Sequence, residues 1–213
     1  MKLSRAALAA SCLVAAALGI AAVDPRAPDP FGGAPNAPSA DPPAGDLLIA
    51  SAQIQDPRFY HAVILLLKHN DDGAFGIIVN HELSQQPIAK LLAAAGEDTD
   101  GIAGTVGVFE GGPVQQELGF LVHSADYYRA ETMAVDGKVA MTASKEALKD
   151  LGRGQGPKRY FFALGYAGWG AGQLEGEIAR KDWFMIPEDP ALVFDADPDT
   201  VWDKAFARRG QDL

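Results

Sequence analysis

Four glycines in eight positions, Gly165, Gly168, Gly170 and Gly172, break an otherwise apolar and aromatic stretch and restrict this chain more than any other feature. Glycine is the residue of tight turns and close backbone approaches, so here the chain must turn or pack backbone on backbone. Upstream, Arg159 to Leu164 reads as a strand; downstream, Gln173 to Ala179 reads as a helix. A strand, a glycine loop and a helix invite a phosphate-site reading. The spacing matches neither the dinucleotide fingerprint nor the P-loop, and no Lys or Ser/Thr stands where a P-loop needs one. Glu175 and Glu177 are expected in the first helical turn, where they complement the helix dipole and repel phosphate. Two uses of the loop remain. Its glycines permit close packing with Tyr166 and Trp169 in the core, or Tyr166 and Trp169 offer apolar faces to a ligand while Gln173 and Glu175 supply directional hydrogen bonds.

The rest of the chain reads as an irregular alternation of strands and helices. Asp46 to Ala52 has the apolar run of a buried strand. His61 to Leu67, a turn at His69 to Gly73 and Ala74 to Asn80 suggest a β-hairpin. Pro87 to Ala95 has Ile88, Leu91 and Leu92 at helical spacing, with Gly96 to end the helix. Further strands are expected at Val106 to Phe109, Leu118 to His123 and Val139 to Met141, and a helix from about Ser144 to Leu151. Asp197 as N-cap and Pro198 at the first position start a last helix, whose apolar stripe is Trp202, Ala205 and Phe206. No repeat and no second linker is present, so the expectation is one α+β domain over 45–213.

Ahead of that domain, Lys2 and Arg5 precede an uncharged stretch from Ala6 to Ala22, the pattern of a signal peptide or membrane anchor over 1–22. Residues 23–44 are rich in Pro and Ala and read as a disordered linker. The expectation is an exported protein, periplasmic or tethered to the inner membrane through residues 6–22; a start assigned too early would leave it cytoplasmic. Cys12 is the sole cysteine, so cleavage after it leaves no thiol for a disulfide, a nucleophile or a metal. The formal charge of −10 becomes −12 when Lys2 and Arg5 are removed (−10 minus +2), which disfavours direct contact with nucleic acid.

Other positions that could bear chemistry are few. The Gly111-Gly112-Pro113 turn could present backbone N–H groups to a carboxylate. His69 and His123 end predicted strands, where an imidazole can act as base or ligand. No histidine spacing supports a metal, and neither a metal nor a cofactor is expected. Ser124 adjoins His123 but points to the opposite face of a strand, and there is no G-x-S-x-G elbow.

Taken together, Gly45 to Ala50, Asp56-Pro57-Arg58-Phe59, His69, Gly73 to Gly76, Asn80, Gly111 to Val114, Gly119 to His123 and Gly165 to Glu175 resemble the AlgH/YqgE family, in the right order and over nearly the whole domain. The resemblance implies a bent, partly barrel-like mixed β-sheet flanked by helices, with the glycine motifs gathered near one another. Its motifs mark His69, Asn80, Gly111, Gly112, Pro113, His123, Tyr166, Trp169, Gln173 and Glu175 as the candidate ligand set, for an unknown small molecule or protein. Family members are often labelled transcriptional regulators in connection with alginate production. A helix-turn-helix or basic face is missing here, so any such role is indirect. The sequence departs from the pattern with Ala52 for a usual proline, Ala62 for a usual serine and Leu118 for a usual arginine, which places the family's polar site in question. The leading reading is a non-enzymatic binding or regulatory domain. The alternative is a hydrolase-like or other enzyme using His69 or His123 with Glu175.

Overall fold

Side chains of β2 (Val63–Asn70) alternate between two buried layers: Val63, Leu65 and Leu67 pack into one apolar cluster, Ile64 and Leu66 into another. A strand buried on both faces must lie inside a sheet that is covered on both sides. The computed structural model describes residues 45–209, so the expectations for 1–22 and 23–44 lie outside the described residues.

β1 (Leu47–Ala50), β2 and β3 (Gly73–Ile78) form an antiparallel run. β4 (Glu82–Pro87) leads into α1 (Ile88–Ala94) and pairs with β5 (Thr105–Glu110). β6 (Val114–Ser124), β7 (Thr132–Ala134) and β8 (Val139–Thr142) form a second antiparallel run. α2 (Lys145–Gly152) then precedes β9 (Tyr160–Gly170). α3 (Gln173–Ala179), β10 (Trp183–Ile186) and α4 (Pro198–Arg208) complete the order. The ten strands make one curled, mostly antiparallel sheet flanked by helices, the α+β half-barrel expected from the sequence.

β9 joins the two halves of the sheet. Its first half lies between β5, which it pairs in parallel, and β6. Its second half pairs with β3, and through β2 and β1 with β10 at the edge. The main core fills the inside of the curl and is closed by α4, where Val201 and Ala205 are buried and Trp202 donates its indole N–H to Ala50 O at 2.8 Å. A second cluster lies beneath α3, and a third beneath α1 and α2. Asp197 caps α4 by accepting from Asp199 N, and Ser144 caps α2 in the same way, as their sequences require.

The expected glycine loop is a strand in the structure: pairing with β3 runs from Ala167 to Gly170, and only Ala171 and Gly172 turn. The glycines serve close approach instead. Gly111 bridges the halves, donating to Leu164 O at 2.7 Å and accepting from Ile78 N at 2.9 Å. Gly112 has φ +152 and lies against the Tyr166 backbone, where a Cβ would collide with the carbonyl. β4, β7 and β10 were not anticipated. β4 reads Glu-Leu-Ser-Gln-Gln-Pro, mostly exposed and without alternation, and β7 and β10 are only three and four residues long.

Candidate functional site

A change of side along β9 creates the site. Phe161 and Ala163 face the inner core, as the two-residue period of a strand requires. At Gly165, φ is +71, a left-handed conformation that adds one residue to the count. Beyond it the even residue Tyr166 faces the inner core, while the odd residues Ala167 and Trp169 face the cluster under α3. Trp169 therefore leaves the barrel interior and meets Trp183 edge to face, with centroids 5.9 Å apart. Phe59, from the 3₁₀ turn Pro57–Phe59, packs on Trp183 in the same manner at 5.4 Å.

Glu177 fixes this arrangement. Its Oε2 accepts the indole N–H of both Trp169 and Trp183, each at 2.8 Å, and its Oε1 accepts from Gln173 Nε2 at 3.0 Å. Gln173 Oε1 in turn accepts from Gly170 N at 3.1 Å, tying α3 to the end of β9. Beside the tryptophans opens a cleft of about 800 Å³. Pro113, Gly168, Trp169, Gln173 and Trp183 line it, with Arg58, Glu177, Arg180 and Lys181 among its charged residues. The Gly-Gly-Pro turn and the second half of β9 thus share one cavity wall.

Of the ten candidate residues, Pro113, Trp169 and Gln173 meet at this cleft. Tyr166 packs in the inner core against Phe75 at 4.8 Å and Phe120 at 6.4 Å, so it offers no face here. Gly111 and Gly112 act through backbone contacts between the half-sheets. Asn80 is buried as a brace: its Oδ1 accepts from Val63 N at 2.8 Å and its Nδ2 donates to His61 O at 2.9 Å.

Glu175 joins His69 instead of the cleft wall. His69 Nε2 lies 2.5 Å from Glu175 Oε1, and the imidazole side chain is only 1% exposed. Its Nδ1 is buried without a partner. Glu175 is held below the usual carboxylate range by a backbone hydrogen bond and then by His69. His123 is elsewhere. It pairs with Tyr160 at the start of β9, whereas Trp169 lies near its end, nine positions later (169 minus 160). That is on the order of 25–30 Å along a strand. The two histidines therefore do not form one constellation with Glu175.

His123 is fully buried in a hydrogen-bond chain with a definite direction. Arg129 N donates to Thr132 Oγ1 at 2.8 Å, Thr132 lies 2.7 Å from Thr142 Oγ1, and Thr142 lies 2.9 Å from His123 Nε2. His123 Nδ1 is 2.9 Å from Ser124 O, which can only accept. The Nδ1–H tautomer therefore satisfies every link with a neutral imidazole. Burial pushes its pKa down, consistent with that role. Among the described residues no group of three or more His, Cys, Asp or Glu is placed to hold a metal.

The sequence reading missed Glu177, Trp183 and Phe59. Of the two acids expected in the first turn of α3, only Glu175 is there; Glu177 stands two residues further on, in the second turn, and faces the indoles. Its signal was the spacing of an acid eight residues after one tryptophan and six before another, which is meaningful only once β9 and β10 are known to bracket α3.

A separate carboxyl pair lies near β8. Glu188 is buried; its Oε2 meets Lys138 Nζ at 3.2 Å, and its Oε1 is buried without a donor. Burial, then hydrogen bonding with Asp136, raises its pKa to about 7, opposed by Lys138. Asp136 is lowered although burial pushes the other way, because Glu188 and the N–H groups of Lys138 and Val139 bond to it. Placing the pair's one proton on Glu188 leaves Asp136 ionised. A raised folded-state pKa means that Glu188 favours folding fully below its unfolded value near 4.5 and that this contribution is lost as pH rises through about 7. Glu188→Gln keeps a donor for Asp136 and an acceptor for Lys138. Its stability relative to wild type should rise from pH 4.5 to pH 8, with a ceiling of about 3 kcal/mol. Urea denaturation at the two pH values measures this, and a pH-independent difference would show that no proton is shared.

A family model described as AlgH-like matches residues 47–213. A UPF0301 protein of Methylococcus capsulatus is 39% identical over 170 residues, 80% of this chain and 93% of the relative. Another from Jannaschia sp. is 42% identical over 170 residues, 79% of this chain and 88% of the relative. The solution structure of the AlgH protein from Pseudomonas aeruginosa resembles this one with a TM-score of 0.67 at 32% identity, covering 81% of this chain and 92% of that chain. A crystal structure of a protein from Corynebacterium diphtheriae has a TM-score of 0.61 at 22% identity over 79% and 88% of the two chains, a likeness of fold.

Proposed function

Because the chain belongs to the AlgH-like family, whose half-barrel fold it shares, we propose a function from the cleft at the seam of that fold: the domain is a non-enzymatic binding protein for a small molecule. The observation behind this reading is the double acceptance by Glu177. A carboxylate that takes two indole N–H groups holds both rings before any ligand arrives, so little side-chain freedom is lost on binding. A cleft of about 800 Å³ has the size of a small-molecule site, and its lining combines aromatic with several charged side chains.

Ligand screening by NMR, read at the indole N–H signals, tests it. Compounds that bind should shift Trp169 and Trp183 but leave Trp202, whose N–H is bonded to Ala50 O. Trp169→Phe retains most of the packing and loses the N–H bond to Glu177, so affinity should fall by roughly tenfold while the protein remains folded. Binders that leave both cleft indoles unmoved would refute the reading.

The short His69–Glu175 contact favours a second reading, acid–base chemistry at an imidazole oriented by a carboxylate. Unchanged turnover of any discovered substrate in His69→Gln would reject it.

A further inference from the structure

Resting on the cleft reading above, we infer that the cleft selects ligands with one negative charge on an aromatic or apolar body, the charge being received by Lys181. Six ionic side chains line the cleft: Asp56, Arg58, Glu177, Arg180, Lys181 and Asp182. Four of them cancel in pairs. Arg58 grips Asp56 with Nη2 2.5 Å from Oδ2 and with Nε bonded to both carboxylate oxygens. Arg180 holds Asp182 through Nη2 at 3.0 Å and Nε at 3.2 Å. Glu177 has both oxygens committed to three N–H donors. Lys181 alone in this set has no hydrogen bond or ion pair of its side chain among the described residues.

The backbone at Lys181 adds an independent reason. It follows the last turn of α3 with φ +64, donates to Ile178 O at 2.9 Å, and is followed by Asp182 N bonding to Glu177 O at 3.0 Å. Such a helix end ordinarily has glycine at this position, since a side chain is strained there. A lysine at that point keeps an ammonium on the rim at the expense of local stability. The same turn holds Glu177, so the cation and the tryptophan clamp are fixed relative to each other. Glu177 keeps its negative charge, but its oxygens are taken up by N–H donors, so an apolar body beside Phe59 and Trp169 meets in Lys181 the one lining cation whose side chain is free to pair with a carboxylate.

Two probes with one ring system test the inference: 2-naphthoate and 2-naphthylmethylammonium, each titrated into ¹⁵N-labelled protein and followed at the Trp169 and Trp183 indole signals. The wild type should bind the anion roughly fivefold more tightly than the cation. Lys181→Gly should abolish the preference for the anion or reverse it. The same variant should melt no lower than wild type, because glycine suits φ +64, so lost preference is not lost folding. Equal binding of both probes by the wild type, or a preference that survives in Lys181→Gly, would overturn the charge inference and leave the cleft reading standing. Failure of both probes to bind overturns the inference alone; binding that moves neither cleft indole overturns it together with the cleft reading.

Discussion

Glu177→Ala is expected to destabilise the protein by about 3–5 kcal/mol, because two buried indole N–H groups are left without an acceptor, each at about 1–3 kcal/mol. Trp169 is 7% and Trp183 2% exposed, but Glu177 lines the cleft, so water entering from there offsets part of the loss. The Gln173 amide also loses its partner, and with it the tie between α3 and Gly170. Glu177→Gln keeps one oxygen of similar reach and should lose only about half as much. Urea denaturation followed by tryptophan fluorescence measures both variants. A loss below about 1 kcal/mol in the alanine variant would mean that the indoles are not held as described.

Gly112→Ala should have the larger effect on folding, about 4 kcal/mol or more, enough to leave a marginal domain largely unfolded. At φ +152 a side chain is strained, and the new Cβ would lie against the Tyr166 carbonyl and the Ala167 nitrogen. Those are backbone atoms of the central strand and cannot rotate away. Gly170→Ala is the control: its Cβ would meet nothing closer than Gln173 Oε1 at 4.0 Å, so its stability should stay within about 1 kcal/mol of wild type. Circular dichroism melts of both variants decide the matter; equal melting points would show that the Gly-Gly-Pro turn does not pack against β9.

These two expectations depend on features of unequal legibility. Strands with strong apolar runs and the capped helix at Asp197-Pro198 could be read because their signals are local. The glycine motifs were rightly placed beside one another, as the Gly111 bridge between β3 and β9 shows. What local patterns could not give was the side to which each residue of β9 turns, since one left-handed glycine shifts the period for all that follows. Tyr166 was therefore expected beside Trp169, and the structure puts it on the opposite face. The partner of Trp169 was hidden for a related reason: Glu177 and Trp183 reach it only after the chain has turned back over the sheet. Glu188, too, is unreadable alone, because its neighbours Asp136 and Lys138 lie about fifty positions away.

The side switch at Gly165 divides β9 into two segments that answer to different neighbours. Before it, Phe162 contributes to the layer under α1 and α2; after it, Trp169 contributes to the layer under α3. Substitutions around the tryptophans can accordingly repack the layer under α3 while the layer under α1 and α2 stays unchanged. A single rigid strand in this way lets one end of the molecule diversify without renegotiating the packing of the other.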